Sequence, residues 1–488
     1  MTIALPAFRS ASGPTRRSPR PRHLAGLLAI AGSLLTAASA TAQDLTRRAK
    51  PQEMPIAVVN ASVHPVSGPP IPNGFVRFAD GKISEVGSME GGRMFTADTV
   101  IIDAAGKHVY PGLIGPYTQL GITELGSVRA TRDFNEAGDI TPEVYAAVAV
   151  NPDSTLLPVT RTNGVLAAGV FPTGGTMPGR ASAIVMEGWT WEDMTVKRDL
   201  GLVVSWPFMR TVRAAWMDRS EEEQLREIRT SLERIRETFR TAQAYADRKA
   251  AAPDTTPTDV RYEAMRSVMP ARGPSSDPAS PGPLTPPALP LFVEAADYDQ
   301  ITSAIAFSKQ FGVRIIIVGG RDAPLCADLL KANNIPVIIS GTHVMPKRDD
   351  SDYDEPYRLP ARLHAAGIPF AIASGEETPH ERNLPYVAGM AAAHGLPRDV
   401  ALRAITLSAA EILGIADTLG SLQPGKSATL IITDGDPLEV GTNVERAFIR
   451  GSEITLRNKQ TDLADKYREK YTPGSPAAPK PADAPAPR

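Results

Sequence analysis

Apolar positions along this chain come in two textures. From 54 to 109 short apolar runs are separated by turn residues, in PIAVVNASV, GFVRFADGKISEVG and TVIIDAAGKHV. Runs of this kind, bounded by Gly, Pro, Asn and Asp, predict half-buried strands, and Asp80-Gly81 between two alternating runs predicts a hairpin turn. The same texture returns in ATLIIT (428–433), Asp434-Gly435-Asp436-Pro437 and VERAFIRGSEI (444–454). Two strand-rich segments flanking a long middle predict one small β-sandwich domain built from both chain ends, 52–110 plus 415–456.

The middle, 111–414, reads differently. Short apolar runs at 109–114, 165–171, 183–186, 202–206, 291–293, 314–318, 336–339 and 369–373 are each bounded by Gly, Pro or polar residues. Helical spacing fills the later intervals: Ile301, Ala304, Ile305 and Ser308 share a face that begins after Asp297 and ends at Gly312. Strands alternating with helices predict parallel βα units, and eight of them predict an α/β fold of the (β/α)8 barrel type, with functional groups at the C-terminal ends of the strands. An insertion at 220–290 interrupts the pattern. Its first part is a long helix with a Ser220/Glu223 capping box and Leu225, Ile228, Leu232, Ile235 and Phe239 on one face. A Pro- and Ser-rich excursion follows, carrying one short helical piece at 260–268. Residues 457–488 read as a flexible C-terminal tail.

Composition changes this picture at three points. With 488 residues, 42% hydrophobic and 22% charged, the chain has an ordinary globular make-up, and a net charge of -2 gives no electrostatic reason for nucleic acid or an acidic membrane as partner. Residues 1–42 have a signal-peptide layout: Arg9, Arg16, Arg17, Arg20 and Arg22, then the apolar run LAGLLAIAGSLLTA, then Ala40-Thr41-Ala42 as cleavage site. The expectation is an exported protein, periplasmic or secreted, with no membrane span after signal removal. The one cysteine, Cys326, leaves no intrachain disulfide and reads as a small buried hydrophobe.

Two stretches then carry a resemblance. IIDAAGKHVYPGLI (101–114) resembles the passage from β-domain into barrel strand one of the amidohydrolase superfamily, imidazolonepropionase-like branch, and LRAITLSAAEILGIADTLGSLQPGKSATLIITDGDPL (402–438) is similar to that family's closing signature. The resemblance implies a barrel with a β-sandwich, and metal-assisted hydrolysis of non-peptide carbon-nitrogen bonds by a water whose pKa a divalent ion lowers from ~16 toward ~7. It also implies ligands: a His-x-His pair at strand one, a carboxylated Lys or Glu at strand four, a His at each of strands five and six, and an Asp at strand eight. At those places this chain has Tyr117 and Gln119, then Glu294, then Gly319-Gly320, then Gly375; Lys197 precedes strand four and does not end it. A phenol and an amide are poor substitutes for two imidazoles on zinc.

Other residues expected on the same rim are Glu124, Glu294, His343, Glu376, Glu377 and His380, candidates for substrate contact or for a rebuilt Glu/His metal site. No H-x-H or H-E-x-x-H spacing supports the latter. Trp189 and Trp191 after strand three offer two indoles, and 171–179 is a Gly-rich loop that is not a P-loop, since no Gly-Lys-Ser/Thr closes it. Ser374 lacks a nucleophile elbow, and the acidic loop 349–355 lacks EF-hand spacing. His64, His108, His364 and His394 read as structural or solvated.

Two readings follow. In the first, an exported amidohydrolase-family protein has lost metal-dependent catalysis, needs no cofactor, and binds a small molecule or a partner, an active amidohydrolase relative included. In the second, it is an active carbon-nitrogen hydrolase with a rearranged metal site, zinc included, or with no metal.

Overall fold

Asp80 and Gly81 both take positive φ, 51° and 74°, and reverse the chain between two antiparallel strands, as the Asp-Gly pair predicts. In the computed structural model, which describes residues 48–214, 216–272, 284–375 and 377–472, this hairpin belongs to the sheet at the chain's two ends. The predicted signal segment, the stretch 273–283, Glu376 and the tail beyond 472 lie outside the described residues. The N-terminal strands are β1 (Ile56–Val63), β2 (Ile71–Ala79), β3 (Lys82–Ser88), β4 (Val100–Asp103) and β5 (His108–Pro111). Val58, Val76, Phe78 and Val109 lie in its core, fully buried.

Gly112 ends this sheet and the barrel begins. Its strands are β6 (Leu113–Thr118), β7 (Val165–Val170), β8 (Gly179–Val185), β9 (Thr195–Ser205), β10 (Leu291–Ala295), β11 (Ile315–Gly319), β12 (Val337–Ile339) and β13 (Phe370–Ile372). They are hydrogen-bonded in sequence order, and β13 returns beside β6, so the sheet nearly closes into a (β/α)8-type barrel. Each of the eight predicted runs carries one of these strands.

One expectation about the barrel strands fails. Strand β8 is antiparallel to both β7 and β9, so the third unit is not a parallel βα repeat. The reason is connection length: a parallel crossover takes about a dozen residues or more, and only 171–178 separate β7 from β8. Strand β9 also starts at Thr195, well before the apolar run at 202, because its polar first half pairs with β8.

After β13 the chain returns to the first sheet as β14 (Leu430–Thr433), β15 (Val444–Ile449) and β16 (Ser452–Ile454). Strand β14 pairs antiparallel with β5, Ile431 opposite Tyr110, so both chain ends contribute to one sheet. Within the expected tail, Lys459–Tyr471 form a helix capped by Asn458, whose amide also reaches Thr162 Oγ1 at 3.4 Å.

The long insertion helix α1 (Glu221–Ala251) has the Ser220/Glu223 capping box. Leu232, Ile235 and Phe239 are buried, and Phe239 meets Phe307 of helix α2 (Tyr298–Phe311) edge to face at 4.9 Å. Leu225, expected on the same face, is exposed. Cys326 is buried as expected, and burial pushes its thiol up to about 11. No helix among the described residues is long and apolar enough to cross a membrane.

Beside the sheet, His64 Nε2 and His108 Nδ1 share a hydrogen bond at 3.0 Å, and the His64 ring stacks on Tyr110 at 4.2 Å. Burial, then the neighbouring His108, lowers the His64 pKa to about 4, against a smaller opposing pull from Asp436. A histidine held neutral in the fold stabilises it fully above its unfolded pKa of ~6.5, and this contribution fades as pH falls toward the folded value. After discounting for a half-exposed ring, about 1–2 kcal/mol of stability is expected to disappear between pH 7 and pH 4.5. Urea unfolding of the wild type and His64→Phe at both pH values checks this; equal pH dependence in the two proteins refutes it.

Candidate active site at the barrel mouth

The C-terminal ends of β6, β9 and β10 bring three side chains together. Strand β6 carries an irregularity between Gly115 and Thr118 where it pairs with β7, and Tyr117 lies in it. Strand β10 puts Glu294 directly opposite Ser205, the last residue of β9. Tyr117 Oη donates to Glu294 Oε1 at 2.6 Å, and Ser205 Oγ donates to Glu294 Oε2 at 2.5 Å. Each carboxylate oxygen thus accepts one hydroxyl. Phe171 lies against the Tyr117 ring at 4.7 Å and meets Phe292 edge to face at 4.9 Å, giving the cluster an aromatic floor.

Burial, followed by the charge and hydrogen bond of Glu294, holds the Tyr117 phenol well above its ordinary pKa. It therefore stays a neutral donor, and Glu294 serves as the acceptor for both strands. Ser205 stands at the strand-four end for which the sequence offered no ligand; its only signal was its place near the end of the run 202–206. Lys197 lies in the early half of β9 and its Nζ reaches the Gly414 carbonyl at 3.2 Å, away from Glu294.

Gln119 does not join the cluster. Its amide donates to Thr173 Oγ1 at 2.8 Å and so ties the chain after β6 to the Gly-rich loop. The strand-six and strand-eight positions are closed by backbone. Gly319 and Gly375 have φ of 109° and 68°, and a Cβ on Gly375 would lie 2.2 Å from the Ser340 carbonyl oxygen. Gly341 meets the Ser374 carbonyl in the same way, at 2.4 Å, so the ends of β12 and β13 touch through glycines.

His343, Glu377 and His380 are exposed on the loops after β12 and β13, and Glu376 lies outside the described residues. Glu124 accepts a hydrogen bond from Thr155 Oγ1 at 3.4 Å. Ser374 Oγ donates to Glu381 Oε2 at 2.7 Å, and both residues are buried. Trp189 and Trp191 are not on this rim. They follow the reversed strand β8, so they lie at the opposite end of the barrel, where Arg450 of the first sheet donates to the Thr195 carbonyl at 3.1 Å.

A hydrolytic zinc or similar ion does not fit this donor set. The cluster has one carboxylate, already accepting two hydroxyls, and no imidazole, whereas catalytic sites offer three strong protein ligands and an open position. Among the described residues, no three His, Cys, Asp or Glu side chains gather to hold a metal.

Residues 360–459 match the Amidohydrolase family. Amidohydrolase tasK of Hapsidospora irregularis is 20% identical over 382 residues, 73% of this chain and 37% of that protein. Imidazolonepropionase of Thermoplasma volcanium is 32% identical over 118 residues, 22% of this chain and 29% of that protein. The chain therefore spans about a third of the length of these two relatives. A crystal structure of an amidohydrolase from Thermotoga maritima superposes with a TM-score of 0.69 at 24% identity, covering 82% of this chain and 100% of the other. The matched segment coincides with the closing signature and the return into the first sheet, and the barrel has the fold of the Thermotoga maritima structure: residues 360–459 resemble the Amidohydrolase family, and the chain shares an amidohydrolase's fold.

Proposed function

We propose that this chain is an exported amidohydrolase-fold protein whose metal centre has been replaced by the Tyr117–Glu294–Ser205 cluster, and that it acts as a binding or partner protein. The match of residues 360–459 to the Amidohydrolase family supports a hydrolase function in general terms, and the export rests on the basic, apolar and small-residue layout of residues 1–42. The observation that carries the loss of metal chemistry is the pair of hydrogen bonds on Glu294, which occupy the carboxylate that a metal would need. Glycines at 319 and 375 leave the strand-six and strand-eight positions without donors. The occupant is a small molecule at the rim or a partner, an active relative included.

A second reading, hydrolysis without a metal, has one observation in its favour: Ser205 Oγ donates to a carboxylate, the contact by which a base takes a nucleophile's proton. Metal analysis separates a metal-dependent hydrolase from both. Purified protein is expected to carry well under one equivalent of zinc, manganese or iron after dialysis against chelator, with an unchanged unfolding midpoint. The pair Tyr117→His and Gln119→His is expected to gain neither stoichiometric zinc nor amide hydrolysis, because residue 119 faces Thr173 and the glycines remain. A retained stoichiometric metal in the wild type overturns the proposal. Ser205→Ala tests the second reading: any amidase activity in the wild type that survives this change excludes Ser205 as its nucleophile.

A further inference from the structure

Away from the Glu294 cluster, the ends of β11 and β12 floor a separate cleft of 190 Å³. Gly319, Ser340 and Gly341 form its base, and helix α3 (Glu355–Ala365) walls it with Pro356 and Leu359, facing Ile339, Val344 and Met345. The lining is apolar, but charge is gathered at its edge. Arg321, Lys347 and Arg362 border it, against one carboxylate, Glu355. Arg321 is ion-paired with Asp297, and Glu355 lies 3.9 Å from Arg348. Lys347 and Arg362 have no carboxylate within ion-pair distance among the described residues.

From this we infer that the cleft binds an organic monoanion with a compact apolar body, of the arylalkanoate class. Volume sets the size of the body. A cavity of about 150 Å³ holds a benzene ring, so 190 Å³ takes one ring and a short linker. Charge sets the head group: a carboxylate at the edge meets Arg362 and Lys347 as its nearest uncommitted cations, and a guanidinium offers a carboxylate two parallel donors. Position agrees as well, because barrels of this type place their ligand groups at the C-terminal ends of the strands. The two glycines make the floor possible, since a side chain on either base residue meets backbone: a Cβ on Gly341 would lie 2.4 Å from the Ser374 carbonyl oxygen, and one on Gly319 would lie 3.1 Å from that of Ala295. The assignment stands on the cleft alone and holds whether or not the chain hydrolyses anything.

The probe is 3-phenylpropanoate, titrated into the full-length protein by calorimetry alongside its neutral amide. The wild type is expected to bind the acid saturably at one site and the amide about tenfold more weakly, the value of one charge-assisted hydrogen bond. Lys347→Gln with Arg362→Gln, both on exposed side chains, is expected to weaken the acid at least tenfold while leaving the circular dichroism spectrum unchanged. Leu359→Trp fills the cleft and is expected to abolish binding of both probes. The inference is overturned if the folded wild type does not saturate with the acid, if acid and amide bind alike, or if the charge-neutralising pair binds the acid as the wild type does.

Discussion

Gly375→Asp, the change that would restore an acid at the strand-eight position, destabilises the protein by about 3–5 kcal/mol and restores no chemistry. Two costs combine. The backbone at 375 has φ 68°, which a side chain adopts only under strain, and the new Cβ would lie 2.2 Å from the Ser340 carbonyl oxygen and 2.9 Å from the Gly341 Cα. Those neighbours are backbone at the ends of two adjacent barrel strands, so they cannot yield as a flexible side chain would. Relieving the overlap separates β12 from β13, whose pairing ends at Ile339 and Ile372. Urea unfolding should show a lower midpoint with an unchanged slope. A variant as stable as the wild type would mean that these strand ends are looser than the geometry requires.

Glu294→Ala comes next, at about 2–4 kcal/mol. The carboxylate accepts hydroxyls from two different strands, and a hydrogen bond to a charged group contributes about 1.5–3 kcal/mol; partial exposure lowers the sum. Glu294→Gln retains one oxygen as acceptor and loses less. A spectroscopic readout accompanies the stability change. Burial is the largest cause of the raised Tyr117 pKa, and the charge and hydrogen bond of Glu294 add to it. In Glu294→Gln the phenol should therefore ionise at lower pH than in the wild type while remaining above the ordinary tyrosine value. Ultraviolet titration against Tyr117→Phe isolates this group. An unchanged Tyr117 titration would sink the claim that Glu294 is its charged partner.

Tyr117 and Glu294 were legible through the resemblance, which assigns them to ligand positions at the ends of barrel strands one and five, where a barrel gathers its functional groups. Ser205 was not, because a serine inside an apolar run looks like any strand residue until its register against Glu294 is known. Gln119 illustrates the opposite case: its place in the chain suggested the centre, but the irregularity in β6 and the reach of Thr173 turned its amide to the loop. The two tryptophans were assigned to the rim on the assumption that every strand runs the same way, and the reversed β8 puts them at the other end.

The sequence by itself determined the two-part architecture, the hairpin at Asp80-Gly81, the positions of the eight barrel strands and the capped insertion helix. Each is written locally, in a period, a turn pair or a cap, and local patterns need no knowledge of distant residues. Only the tertiary structure decided the direction of β8, the convergence of Tyr117, Ser205 and Glu294 across 177 positions of chain, and the contact of glycines between strands seven and eight. Those depend on which strand lies beside which and in what register, a choice made by the whole core at once.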